Sequence, residues 1–346
     1  MAHKIIIIGD NFMLPEMFRD KLIAAVGDGL DIRMHRNNWP GEPLVHGHTT
    51  AGMDGLKEYF GTAEAVIDIV ADAEILVTHL APVSRAMLDD LPGLRMIAVS
   101  RGGPVNINVE ACRERNILVT NTPARNASAV AEFTIGVILA ETRKIREGHE
   151  AVRQGIWRDD LYRADTTGRE LSEMTVGVVG YGAIGRRVVQ LLRVFGCRIV
   201  VHDPYAKLAE VDEAAGVDTV DMNTLLAQSD VVTLHPKVTP ETIGMMDAAA
   251  FARMRPDAVL VNTTRGALCD DDALYEALTD GPLAAAAIDT FTTEPVPSDM
   301  PLLKLPNVTL TPHIAGASVR TVSYAAELAA EDVRRYLAGE PPLNPC

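Results

Sequence analysis

Short apolar runs and amphipathic stretches alternate along most of the chain. Ile5 to Ile8, Glu74 to Thr78, Leu94 to Ser100 and Ile117 to Val119 predict strands, while Glu16 to Val26, Leu56 to Ala71 and Val109 to Arg115 carry apolar residues at helical intervals. Asn37 to Gly55, rich in Gly, Pro, His and Thr, predicts a surface loop. From Thr175 the alternation resumes, with strands at Asp230 to Leu234, Asp257 to Val261, Ala284 to Ile288 and Val308 to Leu310. Helices are predicted at Met222 to Gln228, Ala248 to Met254 and Asp271 to Leu278, and a closing helix from Ser318 to Ala338 ends at Gly339. Between the two halves, Ala127 to Gln154 predicts one long helix. Its first half is apolar almost all round and must be buried, in a subunit interface or in the chain's own core. Strands alternating with helices imply an α/β chain with parallel, doubly wound sheets.

One stretch departs from simple alternation. TVGVVGYGAIGRRVVQLLRVFGCRIVVHD, Thr175 to Asp203, is a strand, a G-x-G-x-x-G turn at Gly180, Gly182 and Gly185, a helix, and a second strand ending at an acid. Gly180 permits the turn out of the strand, Gly182 lets backbone approach a pyrophosphate, and Gly185 lets the helix pack on the strand. The helix N-terminus offers unpaired N–H groups and the positive end of the macrodipole to the anion. Asp203 can accept from both ribose hydroxyls and repels a 2′-phosphate, which favours NAD over NADP, although Lys207 nearby softens the preference. Glycines at this spacing also occur as plain turn and packing residues. Here every flanking element stands in its place.

The 346 residues suit two domains. A net charge of −15 argues against nucleic acid, whose phosphates require a basic face, yet leaves room for a small anionic substrate held by local arginines. No apolar run reaches the ~18 residues of a membrane span. Cys112, Cys197, Cys269 and Cys346 lack C-x-x-C spacing and, with no signal-peptide pattern, suggest reduced thiols in the cytoplasm. His35, His46 and His48 have no acid or cysteine at ligand spacing, so solvated loop histidines are expected and no metal site.

In a parallel sheet, ligands gather beyond the carboxyl ends of the strands. Arg265, Asp289, Glu294 and His313 each follow such an end. Oxidising a hydroxy acid beside NAD requires a base at the carbinol oxygen, and His313 suits that task by its intrinsic pKa. Glu294 could fix its tautomer and stabilise the imidazolium. Arg265 could clamp a carboxylate or polarise a carbonyl. Taken singly, each of these residues has a plain structural reading.

VGVVGYGAIGRRV, VVHDPY, DVVTLHPKVTPETIGMM, AVLVNTTRGALCD, AAIDTFTTEP and NVTLTPHIAGAS follow one another as in the D-isomer-specific 2-hydroxyacid dehydrogenases, which the chain resembles over nearly its whole length. The resemblance implies a catalytic trio at Arg265, Glu294 and His313. It also implies that Asp289 contacts the nicotinamide side of the cofactor, and that loop Ser100 to Pro104 holds the substrate carboxylate on backbone N–H groups. The candidate cofactor residues are Gly180, Gly182, Ala183, Ile184, Gly185, Asp203, His235, Thr264 and Asp289. The candidate substrate residues are Arg101, Gly102, Gly103 and Arg125. The family fold implies a Rossmann domain, about residues 121–312, inserted into a flavodoxin-like substrate domain made of 1–120 and 313–346. It also implies a homodimer through the helix beginning near Ala127.

Departures from the family pattern concern the substrate. Arg101 stands where many relatives carry a small residue, Asn106 and Asn108 where acids are frequent, and Arg125 is unusual. Two extra arginines suggest a substrate with a second anionic or polar end, phosphorylated or sugar-derived; surface pairing with Glu110 or Glu132 is the alternative. NTPARNASAVAEF is closest to the phosphoglycerate dehydrogenase subgroup, and with the chain stopping at Cys346 no C-terminal regulatory domain is expected. An NAD(H)-sensing co-repressor on the same fold is the second functional reading, and formate or phosphite oxidation a third.

Overall fold

The computed structural model describes residues 3–38, 53 and 55–346. His46, His48 and most of the predicted loop Asn37 to Gly55 lie outside the described residues. In chain order the elements are β1 (Lys4–Gly9), α1 (Pro15–Val26), β2 (Asp31–Arg36), α2 (Ala63–Val70), β3 (Ile75–Thr78), β4 (Met96–Val99), α3 (Val109–Glu114) and β5 (Leu118–Thr120). There follow α4 (Ala127–Thr142), α5 (Ile145–Arg153), β6 (Thr175–Val179), α6 (Ala183–Val194), β7 (Arg198–His202), α7 (Glu210–Glu213), β8 (Asp218–Thr219), α8 (Met222–Gln228), β9 (Val231–Leu234), α9 (Ala248–Phe251), β10 (Ala258–Asn262), α10 (Asp271–Thr279), β11 (Leu283–Ile288), β12 (Val308–Leu310) and α11 (Val319–Leu337). The chain forms two compact units, one of Met1–Asn126 with Ser318–Cys346, the other of Ala127–Ala317.

The first unit is built on a parallel sheet in the order β2-β1-β3-β4-β5. The continuous run Ile5 to Ile8 is explained by burial on both faces, as expected of a parallel sheet covered by helices. Ile6 and Ile8 pack with Leu76, Ile97 and Val119 under Val66 and Val70 of α2. Ile5 and Ile7 pack with Val77 and Met96 against Phe18 and Leu22 of α1 and an alanine face of α11, Ala325, Ala326 and Ala329. The short alanines let α11 lie close to the sheet, and its start is capped by Ser318, whose hydroxyl accepts from the Thr321 N–H.

The second unit carries a seven-stranded parallel sheet in the order β12-β11-β10-β9-β6-β7-β8. One face packs on α8, α9 and α10 through Leu225, Phe251 and Leu274. The other packs on α4 and α6 through Ala131, Ile138, Val188 and Leu192. Burial of α4 against its own sheet accounts for the apolar character of its sequence.

Two predicted helices differ from those observed. The stretch from Leu56 becomes helical only at Ala63, because Glu58 and Gly61 take positive φ (51° and 103°) and Thr62 caps the helix at its N-terminus. The long helix predicted from Ala127 to Gln154 is two helices, divided where Lys144 turns left-handed at φ 58°. The strand β2 has no counterpart among the predicted elements, since DIRMHR is a polar edge strand with five of six residues exposed.

Candidate active site

At the carboxyl end of β6 the chain turns through Gly180, whose φ is 91° and whose missing Cβ would stand 2.6 Å from the Pro236 nitrogen. Both the conformation and the space therefore demand glycine. A Cβ on Gly185 would collide with the Gly180 carbonyl, so α6 can start this close to β6 only without a side chain there. Gly182 is the N-cap of α6, has no side-chain capping bond, and faces open space where a Cβ would be. The backbone N–H groups that follow, from Ala183, Ile184 and Gly185, form the kind of cradle that takes an anion.

Asp203, just past β7, reaches back to this turn. Its Oδ2 accepts from the Tyr181 N–H at 2.7 Å, and its Oδ1 from the N–H groups of Tyr205 and Ala206 at 2.9 and 3.0 Å. Burial would raise its carboxyl pKa, but these three backbone donors hold it below the ordinary value. His235, past β9, lies against Gly180. Burial pushes its pKa down to about 3, so the ring is neutral, with Nε2 2.9 Å from Thr233 Oγ1 and Nδ1 buried without a protein partner. The open cradle and the orphaned imidazole nitrogen fit a dinucleotide. Thr264, past β10, donates its hydroxyl to the Leu234 carbonyl and ties two strand ends together.

On the same sheet, β10, β11 and β12 end beside one another. Asp289, following β11, is buried. Its Oδ1 accepts from the Thr311 hydroxyl at 2.6 Å and the Ile314 N–H at 2.9 Å, and its Oδ2 from the Ala315 N–H at 2.9 Å. The His313 N–H donates to the Asp289 carbonyl at 2.8 Å. These bonds hold His313 in a left-handed backbone conformation, φ 55°, which a residue with a side chain adopts only when its surroundings fix it.

The imidazole is oriented in turn. His313 Nδ1 lies 2.7 Å from Glu294 Oε2, and Glu294 Oε1 accepts from the Phe291 N–H at 2.9 Å. The Glu294 side chain is 15% exposed and that of His313 38%, so the carboxylate is shielded while the ring meets solvent. Arg265 lies at the turn after β10, exposed, its Nη1 donating to the Thr264 carbonyl at 2.7 Å. Among the described residues no carboxylate is paired with it. The next residue, Gly266, packs on the Phe291–Thr292 backbone, where a Cβ would collide. That close approach sets the arginine turn against the turn that bears Glu294.

The remaining predicted residues are in the first unit. Arg101, past β4, donates to the Glu58 carbonyl and forms an ion pair with the Glu58 carboxylate, rather than with Glu110 or Glu132, the alternative partners. Gly102 and Gly103 beside it are exposed, and the Gly102 carbonyl accepts from Asn121 at 3.0 Å. Arg125 Nη1 is buried without a partner. Asn106 is internal, donating to the carbonyls of His79 and Ala81, and Asn108 caps α3.

Two residues escape the sequence reading. Asp10, past β1, and His79, past β3, are both buried, with His79 Nδ1 2.6 Å from Asp10 Oδ2. Their signal is the one used for the second unit, a polar residue immediately after an apolar strand. Among the described residues no group of three or more His, Cys, Asp or Glu could hold a metal ion, and no helix is long and apolar enough to cross a membrane.

The family model described as "D-isomer specific 2-hydroxyacid dehydrogenase, NAD binding domain" matches residues 135–315. A glyoxylate reductase of Korarchaeum cryptofilum is 38% identical over 282 residues, covering 81% of this chain and 85% of that protein. A D-3-phosphoglycerate dehydrogenase of Methanocaldococcus jannaschii is 38% identical over 281 residues, 81% of this chain; the chain spans about half, 52%, of that relative's length. Among solved structures, the TT0316 protein of Thermus thermophilus superposes with a TM-score of 0.78 at 31% identity, covering 99% of both chains.

Proposed function

The chain belongs to the D-isomer specific 2-hydroxyacid dehydrogenase family and is an NAD-dependent enzyme of it; from that premise we propose that it transfers hydride between nicotinamide and C2 of a small D-2-hydroxy or 2-keto acid whose far end is polar or anionic. The observation that carries this reading is the hydrogen bond between His313 Nδ1 and the Glu294 carboxylate on the rim of the nucleotide-binding sheet.

Bound NAD supplies the hydride acceptor for oxidation, and NADH the donor for reduction. Gly180, Gly182, Ala183, Ile184 and Gly185 receive its pyrophosphate, and Asp203 its ribose hydroxyls. His235, Thr264 and Asp289 line the remainder. His313, bonded to Glu294 through Nδ1, presents Nε2 to the substrate oxygen. It takes the hydroxyl proton in oxidation and returns it to the keto oxygen in reduction. Glu294 stabilises the imidazolium in between. Arg265 sets a planar, permanently charged fork on the carboxylate or the carbonyl oxygen. In the first unit, Arg101, Gly102, Gly103 and Arg125 are assigned to the substrate.

Ile145, Val152, Ile156, Trp157 and Tyr162 are each exposed on α5 and the segment after it, directly downstream of the helix beginning near Ala127, which supports a homodimer through that helix. Four free cysteines support a cytoplasmic setting. The reaction is tested by a screen of 2-keto acids with NADH, glyoxylate, phosphorylated acids and C4 to C6 sugar acids included. Oxidation of NADH by at least one member is expected, and none would end the reading.

A further inference from the structure

The first unit's strand order reverses direction between β1 and β3, and ligands of parallel sheets bind outside the strand ends at such a point. Asp10 and His79 are the residues that follow those two strands. Asp10 Oδ1 is held by the N–H groups of Phe12 and Met13 at 2.8 and 2.7 Å, which leaves Oδ2 for His79 Nδ1. Burial raises the Asp10 pKa, but the bond to His79 and those backbone donors outweigh it, so the carboxyl stays ionised. Burial depresses the His79 pKa, and the charges of Arg125 and Arg101 add to that, so the ring is neutral. An ionised carboxylate can only accept, so the single ring proton sits on Nδ1 and Nε2 is an acceptor.

Around this dyad lie polar atoms that the protein leaves unmatched. Arg125 Nη1, Asn106 Oδ1 and Thr122 Oγ1 are all buried without hydrogen-bond partners. They belong to the same rim: Asn106 donates to the His79 carbonyl, and the Thr122 N–H to the Arg101 carbonyl. Burial and the charge of Arg101 lower the Arg125 pKa to about 10. Formal charge is balanced, Arg125 against Asp10 and Arg101 against Glu58. A phosphate dianion would therefore meet no excess positive charge, and its oxygens could not donate to His79 Nε2 or Asn106 Oδ1. A hydroxyl both donates and accepts.

We propose that Asp10, His79, Asn106 and Arg125 form a recognition site for an uncharged, hydroxyl-bearing tail of the substrate, with His79 Nε2 accepting from one hydroxyl and Arg125 Nη1 donating to another. This rests on the dehydrogenase reading above and narrows its substrate to polyhydroxy acids. A site built to hydrogen-bond hydroxyls rejects analogues that lack them, because its own buried polar groups are then left unpaired.

The test is titration calorimetry on enzyme saturated with NADH, a complex in which a hydroxy acid cannot react. The probes share a four-carbon chain: D-erythronate, D-2-hydroxybutanoate and 4-phospho-D-erythronate. D-erythronate is expected to bind at least about tenfold tighter than either of the others, and the preference is expected to fall to about threefold or less in His79→Phe and in Arg125→Gln. Using two variants guards against misfolding in either. Equal binding of the first two acids, tightest binding of the phosphate ester, or a preference that survives both substitutions overturns the proposal. Failure of the underlying reading appears separately, as no reduction of NAD by any of the three acids.

Discussion

Glu294 and His313 are joined by a 2.7 Å hydrogen bond between Oε2 and Nδ1, although nineteen residues and the strand β12 separate them in sequence. The bond turns the outer ring nitrogen away from the carboxylate, and the Phe291 N–H fixes the carboxylate in its own turn. Replacing Glu294 with Gln keeps the shape but removes the negative charge that stabilises an imidazolium. We expect kcat for keto-acid reduction to fall by about 10- to 10²-fold while the protein stays folded, read from steady-state rates and a thermal melt. A rate equal to wild type would make the pairing merely structural.

Gly266 is the joint between the Arg265 turn and the Glu294 turn. Its substitution by Ala places a Cβ on the Phe291–Thr292 backbone, so two turns must separate. A loss of at least about 10² in kcat/KM is expected, larger than the loss from Ala at Gly29, where the added Cβ meets open space away from the cofactor residues. Rates for the two variants in parallel check the order.

Asp203 accepts three backbone N–H groups in addition to its proposed role at the ribose. Asp203→Ala is expected to weaken NAD binding and to reduce the preference for NAD over NADP by about tenfold or more. Leaving those donors unpaired should also cost about 1–3 kcal/mol of stability. Unchanged cofactor constants would refute the ribose assignment.

His235 is neutral in the fold, its pKa pushed by burial from 6.5 to about 3, and His79 is shifted in the same direction. Between those values the unfolded chain binds protons that the folded chain refuses, so stability rises with pH across that window and is lost as pH falls. Urea midpoints at about pH 4.5, 5.5 and 7 should show this slope, and His235→Asn should flatten it. An unaltered slope in the variant would contradict the burial argument.

Much of this arrangement is legible in the sequence because local signals and tertiary demands agree. Ile5 to Ile8 reads as a strand because both faces are buried, and the turn at Gly180 because its geometry admits no side chain. The approach of Glu294 to His313 is foreseeable since both follow strands that end on one rim. Where the signals fail, a backbone or an edge decides. Lys144 breaks a sequence that otherwise continues a helix, β2 is too polar and exposed to announce itself, and Gly61 delays α2. The Asp10–His79 pair is hidden because each residue looks like the end of an apolar run, and only the strand order brings the two together. Arg101 shows the opposite limit: its guanidinium stands out in the sequence, but its partner, Glu58, sits in a segment predicted to be helical.

Proton transfer by the His313 imidazole is read most directly from kcat for His313→Ala with NADH and a 2-keto acid that the wild-type enzyme reduces. A fall of about 10² to 10⁴ is expected, with NADH still bound as followed by its fluorescence. A kcat within about threefold of wild type would contradict it.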